Sequence, residues 1–212
     1  MNWCPHDLLW VTRTDLQCAP DDSDTLLPRW VRDGQGPVVV RRERVPTRGM
    51  IAVGVRGQQK SERQAAYIAR RSVATGLTPY ELAASRPWLR HPLRTSHPVL
   101  QTLADLAPRL DAKDLHWGIT GSLGYEFATG ESQLRPESDL DLIIRAPNPL
   151  TRCEAAALLT QLGNSTCRLD IQLETPDGAI ALAEWAGRSP RVMIRTAEGP
   201  RLSAEPWQPA TN

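Results

Sequence analysis

Phenylalanine occurs once in the 212-residue chain, and aromatic residues of all kinds make up 5% of it. Tryptophan, present seven times, supplies most of what aromatic bulk there is. No apolar run approaches the roughly 20 residues that a membrane-spanning helix requires. The opening Met1-Asn2-Trp3-Cys4-Pro5-His6-Asp7 has no basic segment followed by an apolar one, so it does not read as a secretory signal. These absences point to a cytoplasmic protein with no membrane partner. Cysteine is scarce too. Cys4, Cys18, Cys153 and Cys167 follow neither a metal-ligand spacing nor a disulfide framework, and they read as reduced thiols. Net charge is nearly lacking at +1, which argues against a nucleic-acid binder along the whole chain. No internal repeat or low-complexity tract is visible. Proline, by contrast, is plentiful at 18 copies.

The small net charge hides an asymmetry. Residues 1–95 carry 15 Lys and Arg against 9 Asp and Glu, whereas residues 96–212 carry 10 against 15. The segment from Pro37 to Arg71 is the most basic, with Arg41, Arg42, Arg44 and Arg48 close together. Such a split implies two modules. The basic one either meets an anionic partner or carries a solvated cationic face.

The periodicities give an order of elements. His6–Val11 reads as a strand, followed by a loop rich in Asp, Ser and Pro. Pro28–Val31 reads as a helical turn. Pro37–Arg42 and Met50–Arg56 are β-branched runs, joined through Pro46–Gly49 as a hairpin-like pair. Ser61 with Gln64 forms a capping-box pattern ahead of Ala65, Ala66, Ile68, Ala69 and Val73, which predicts a helix closed by Gly76. A short helix starts at Thr78, with Pro79 at its first position. The prolines in Arg86–Pro92 mark the boundary between an N-terminal α+β domain, residues 1–88, and a second domain, residues 89–212.

The second domain opens with a helix from Pro98, where Leu100, Leu103, Leu106 and Leu110 recur at helical spacing. A strand over Leu115–Ile119, a short helix over Leu123–Ala128, a polar loop and a strand from Asp139 through Arg145 follow. Thr151 with Glu154 caps the next helix, Leu150 staples it onto Ala155, and Gly163 ends it. Cys167–Glu174 alternates as a strand, a helix covers Asp177–Ala186, Val192–Arg195 is a strand, and the Pro-rich tail from Glu198 frays. The layout is α/β (α+β), with a mixed sheet flanked by helices.

Chemistry concentrates in Gly118–Ile144. Side chains alternate along a strand, so Asp139 and Asp141 share one face while Leu140, Leu142 and Ile144 face a core. Two carboxylates side by side repel each other, and a hard cation such as Mg²⁺ relieves this through oxygen ligation. Gly121-Ser122 upstream offers backbone amides, a hydroxyl and a helix N-terminus, which suit a phosphate. Ser122 also fits a plain helix cap. Asp170 lies on the polar face of the Cys167–Glu174 strand. If that strand lies beside the Asp139–Asp141 strand, three carboxylates meet on one surface and can hold one or two Mg²⁺ ions, with Mn²⁺ as the alternative. The residues alone thus indicate metal-assisted phosphoryl or nucleotidyl transfer. His91 and His97, each before a proline, read as turn residues, and His116 as a core or surface residue.

Gly121-Ser122, Asp139-Leu140-Asp141 and Leu169-Asp170-Ile171, in that order, resemble the motif set of the DNA polymerase beta-like nucleotidyltransferases. A closer resemblance spans nearly the whole chain. It rests on His6-Asp7-Leu8-Leu9-Trp10, Gly54-Val55-Arg56-Gly57 and Arg63-Gln64. It rests equally on Gly118 to Glu126, Ser138 to Leu142, and Asp170 to Thr175. In these the sequence is similar to the malonate decarboxylase holo-acyl-carrier-protein synthase family. That resemblance implies a reaction: a serine of the decarboxylase's acyl carrier protein subunit attacks the α-phosphorus of 2′-(5″-triphosphoribosyl)-3′-dephospho-CoA, and diphosphate leaves. It further implies that Asp139 and Asp141 bind metal and that Asp170 either binds metal or accepts the serine proton. On the same resemblance Gly121 and Ser122 are expected to contact the leaving phosphates; Arg135, by its place in the loop before Asp139, is a further candidate to reach phosphate. Two alternatives remain on the sequence: adenylylation of another acceptor from ATP, and a catalytically silent module that binds a carrier protein.

Overall fold

The computed structural model describes residues 2–18, 26–45, 47–57, 61–163 and 165–208. Pro46 in the expected hairpin connection, residues 19–25 of the first loop and residues 209–212 of the tail lie outside them. The chain forms two compact units, Met1–Thr78 and Pro79–Asn212.

The first unit is built on an antiparallel sheet. Its elements are β1 (Leu8–Val11), α1 (Arg29–Arg32), β2 (Val38–Val40), β3 (Met50–Arg56), β4 (Arg63–Ala69) and β5 (Val73–Leu77). The strand order is β4-β3-β2-β1-β5. Val39 pairs with Gly54 and Val40 with Val53, so the expected pairing of the two β-branched runs is present. The expected helix from Ser61 is not. Arg63–Ala69 is a strand in register with the whole of β3, from Met50↔Ala69 to Arg56↔Arg63. Its other edge is bridged by Gln17, which exchanges two backbone hydrogen bonds with Tyr67 at 2.9 Å each. A strand paired on both edges buries Ala66, Tyr67, Ile68 and Ala69 in succession. Alanine packs as readily there as on a helix, and the neighbours override the local preference.

The second unit contains α2 (Pro79–Ser85), α3 (Pro98–Asp111), β6 (Trp117–Ile119), α4 (Gly121–Thr129), β7 (Leu140–Arg145), α5 (Arg152–Leu162), β8 (Leu169–Glu174), β9 (Ala179–Ala181), α6 (Leu182–Trp185), β10 (Val192–Thr196) and β11 (Gly199–Ser203). The division between units falls ahead of the Arg86–Pro92 stretch expected to separate them. Pro79 at the head of α2 lies against Gly118 of β6, where a Cβ would come within 2.6 Å of Pro79. The sheet order is β11-β10-β9-β8-β7-β6. Only β7 and β8 run parallel, with α5 crossing between them; the sheet is therefore mixed, as expected. The Thr151–Glu154 capping box is formed in full. The core stripe of α3, Leu100, Leu103, Leu106 and Leu110, packs with Leu140, Leu142 and Ile144 of β7 and Leu173 of β8.

Two further expectations are corrected at the C-terminal end. The front half of the expected Asp177–Ala186 helix is the strand β9, paired with β8 through Leu173↔Ile180. The cause is the Pro176-Asp177-Gly178 turn, in which the Thr175 amide donates to the Gly178 carbonyl at 2.8 Å. Pro-Asp-Gly is a hairpin-forming sequence. The tail does not fray up to Gln208. Gly199–Ser203 pairs with β10 along its length, Trp207 Nε1 donates to the Ala146 carbonyl at 2.7 Å, and Thr175 Oγ1 donates to the Pro206 carbonyl at 2.8 Å. Pro200 is tolerated because β11 is an edge strand, where a missing amide is harmless. No helix among the described residues is long and apolar enough to cross a membrane, and the four cysteines are free thiols.

Candidate active site

The site is framed by the order β6–α4 and β7–α5–β8. Antiparallel pairing of Ile119 with Leu142 leaves the end of β6 beside Asp141. There the Thr120 amide donates to the Asp141 carbonyl at 3.0 Å. The chain then turns into α4. Gly121 makes this turn possible twice over. Its φ of +66° is a left-handed conformation that favours glycine. A Cβ on it would lie 1.8 Å from Asp141 Oδ2 and 2.6 Å from Asp141 Cγ. The Asp141 carboxylate therefore rests on the bare backbone at the helix N-terminus. Helix amides at that end lack intrahelical acceptors and attract negative charge. Thr120, rather than Ser122, occupies the N-cap position, and Ser122 is within the first turn.

On the other side of β7, the parallel register pairs Asp141 directly with Asp170. Neighbouring strands lie about 4.8 Å apart, so the two carboxylates project side by side from the same face. Both residues are half-buried. Asp139 immediately precedes β7 and is also half-buried. Arg135 is exposed in the loop before it. The structure thus brings Asp141 and Asp170 together with Gly121 and Ser122, and sets Asp139 at the strand entrance. Among the described residues, no three His, Cys, Asp or Glu side chains close into a metal-holding group. The donors present are still of the right chemistry for a hard cation: carboxylate oxygens, adjacent, on a surface where only glycine leaves room.

The same sheet face continues along β7 and β8 to Arg145 and Glu174, again register partners, about 13 Å further on at strand rise. Tyr80 from α2 stands over them. Its hydroxyl donates to Glu174 Oε2 at 3.0 Å, and the Arg145 guanidinium carbon lies 4.8 Å from the centre of its ring. The His116 ring is 4.2 Å away. Burial pushes the Tyr80 hydroxyl far up, and the Glu174 carboxylate adds to this. Burial, and then the charge of Arg145, push His116 down from its ordinary value. Sequence reasoning singled out none of this group as functional.

It also missed what holds the loop into Asp139. Glu126, in the middle of α4, is 6% exposed. Its Oε2 accepts the amides of Gln133 at 2.6 Å and Leu134 at 2.7 Å. His91 Nδ1 accepts the Leu93 amide, leaving the proton on Nε2, which is donated to Glu126 Oε1 at 2.9 Å. His97 does more than occupy a turn. Its Nδ1 caps α3 by accepting the Val99 amide, and its Nε2 donates to the Arg135 carbonyl at 3.1 Å.

Comparison with known proteins places this arrangement. The model for the C-terminal domain of the phosphoribosyl-dephospho-CoA transferase MdcG matches residues 83–206, and that for its N-terminal domain matches residues 4–79. The chain belongs to the phosphoribosyl-dephospho-CoA transferase family. A curated family member from Pseudomonas putida (strain GB-1) is 43% identical over 206 residues, covering 96% of this chain and 94% of the relative. One from Azotobacter vinelandii is 42% identical over 214 residues, with 96% and 94% covered, and one from Pseudomonas fluorescens is 41% identical over 211 residues, with 98% and 95% covered. All three carry the name phosphoribosyl-dephospho-CoA transferase. No solved structure matches the chain. The two matched family domains follow the two compact units, and the carboxylate face with its Gly121 turn lies within the C-terminal one. Members of this family are transferases, so the chain is an enzyme rather than a silent binding module.

Proposed function

We propose that this transferase attaches the 2′-(5″-phosphoribosyl)-3′-dephospho-CoA group of 2′-(5″-triphosphoribosyl)-3′-dephospho-CoA to a serine of the apo acyl carrier protein subunit of malonate decarboxylase. The serine oxygen bonds to the α-phosphorus, the bond from that phosphorus to the bridging oxygen breaks, and diphosphate leaves with that oxygen. The observation that carries the reading is the parallel pairing of Asp141 with Asp170 beside a helix N-terminus that only Gly121 allows. Such a surface has an anion-attracting end and a paired-carboxylate end within one short reach.

Gly121 and Ser122 offer amides and a hydroxyl to the departing phosphates, which gain negative charge as the bond breaks. Asp170 either shares in holding the metal or takes the serine proton, the second role requiring it to come within hydrogen-bond reach of that hydroxyl. Arg135 screens phosphate charge from its loop. Asp141 and Asp170 are the carboxylates that would hold Mg²⁺, with Asp139 at the strand entrance as the third expected ligand; the ion would neutralise phosphate charge and lower the pKa of a bound hydroxyl. The His6-Asp7 start and the Arg41–Arg48 basic run belong to the first unit; contact with an acidic carrier protein is the role we assign to that run.

The test combines the protein, Mg²⁺, apo carrier subunit and either the triphosphoribosyl donor or ATP, and weighs the carrier by mass spectrometry. A prosthetic-group increment with equimolar diphosphate is the expected result. An adenylyl increment from ATP would replace the donor in this reading, and an unmodified carrier under every condition would refute it.

A further inference from the structure

We propose that Glu126 is a positioning residue of the transfer site, holding the loop that delivers Arg135 and Asp139 in register with the phosphate-binding end of α4. The inference rests on the functional reading above. Its structural basis is a buried carboxylate with a specific set of donors. Glu126 is 6% exposed, and burying a charge is costly unless hydrogen bonds compensate. Three donors meet it: the Gln133 and Leu134 amides on Oε2 and the His91 imidazole on Oε1. A carboxylate offers two acceptor oxygens and no donor, which matches this set. An apolar residue would fill the space but leave two half-buried loop amides without their acceptor.

The geometry gives those bonds a purpose beyond packing. At its N-terminus α4 is locked to β7 through the Gly121–Asp141 contact. Five residues along, the same helix grips the loop leading back to β7. Downstream of that grip, His97 donates to the Arg135 carbonyl, the Arg135 amide donates to Ser138 Oγ at 2.9 Å, and the Ser138 amide donates to the Arg135 carbonyl at 2.9 Å. The path from Gly121 to Asp141 is thereby a closed frame, fastened by Glu126 at the loop's start and by His97 and Ser138 near its end. Loosening the first fastening frees the strand entrance where Asp139 sits, without touching any group that meets substrate.

The experiment uses the full chain with Glu126→Gln and Glu126→Ala. Amide hydrogen exchange and steady-state kinetics of carrier modification are measured on each. In Glu126→Ala, exchange at Gln133 and Leu134 should rise about tenfold or more while β10–β11 amides keep wild-type protection. A misplacement of about 1 Å costs on the order of a hundredfold in rate, so kcat should fall by about that factor with KM for the carrier within about twofold. Glu126→Gln keeps one acceptor oxygen for the two amides and gives up only the His91 bond, because its NH2 group meets the Nε2–H donor, and it should recover at least about a tenth of the wild-type rate. If Glu126→Ala does not fold, Glu126→Gln carries the test with smaller shifts of the same sign. Unchanged exchange at the two amides overturns the proposal. Raised exchange with unchanged kcat also overturns it, as does a loss of protection shared by every strand. Failure of the wild-type protein to modify any carrier would instead refute the functional reading, and would show before a variant is made.

Discussion

Replacing Gly121 by alanine is the sharpest small perturbation the structure offers. At φ +66° an L-residue pays about 1–2 kcal/mol for the left-handed conformation alone. The added methyl would also sit 1.8 Å from Asp141 Oδ2, and real Cβ contacts closer than 3.0 Å are essentially never seen. The carboxylate therefore has to retreat by about 1.2 Å or the helix start has to move, and a displacement of that size costs on the order of a hundredfold in rate. Gly49→Ala is the matched control, because Gly49 has φ +85° and its added methyl would meet nothing within 4 Å. Both variants should lose about 1–2 kcal/mol in urea unfolding, Gly121→Ala slightly more. Only Gly121→Ala should lose transfer, by about a hundredfold or more in kcat. Carrier mass spectrometry over time reads the rate. A folded Gly121→Ala enzyme that turns over at the Gly49→Ala rate would refute the placement of Asp141 at the reacting centre.

Asp141→Asn and Asp170→Asn should each lower transfer by at least about a hundredfold, with circular dichroism and unfolding midpoint close to wild type; chelation of divalent cations should abolish transfer and added Mg²⁺ restore it. Tyr80 holds its proton past the ordinary tyrosine range, so alkaline spectrophotometric titration should show a late-ionising phenol that Tyr80→Phe removes. Because its folded-state pKa is raised, the stability it contributes is present below pH about 10 and is lost as pH climbs further. His116 runs the other way: its folded-state pKa is lowered, so the unfolded chain binds more protons as pH falls below about 6.5, and stability should drop there less steeply in His116→Gln. Trp207→Phe removes the hydrogen bond to Ala146 and should cost about 1 kcal/mol, whereas a fraying tail would leave the unfolding midpoint unmoved.

The carboxylate face is legible in the sequence because its signals are local and periodic. Leu140, Leu142 and Ile144 alternate with Asp139 and Asp141, and Leu169, Ile171 and Leu173 alternate with Asp170. What the alternation leaves open is the partner of each strand, and the parallel register of Asp141 with Asp170 supplies it. The Thr151–Glu154 capping box is likewise legible, being a motif of four consecutive residues. Arg63–Ala69 misleads because alanine-rich runs fit a helix or a buried strand equally, and only the pairing with β3 and Gln17 decides. The Pro176-Asp177-Gly178 turn is a readable signal that helical periodicity downstream overshadows. Glu126, His91 and His97 are not readable as a unit, since nothing local brings residues 91, 97, 126 and 133 to one place.

On the proposed function, the transferred group meets its acceptor between the Asp141–Asp170 pair and the head of α4. Crystals grown with Mn²⁺ and the triphosphoribosyl donor test it most directly through anomalous scattering. Metal bound by Asp141 and Asp170, with donor phosphates on the Gly121 and Ser122 amides, is the expected result. Metal and phosphates located away from this pair, for example beside Arg145 and Tyr80, would contradict it.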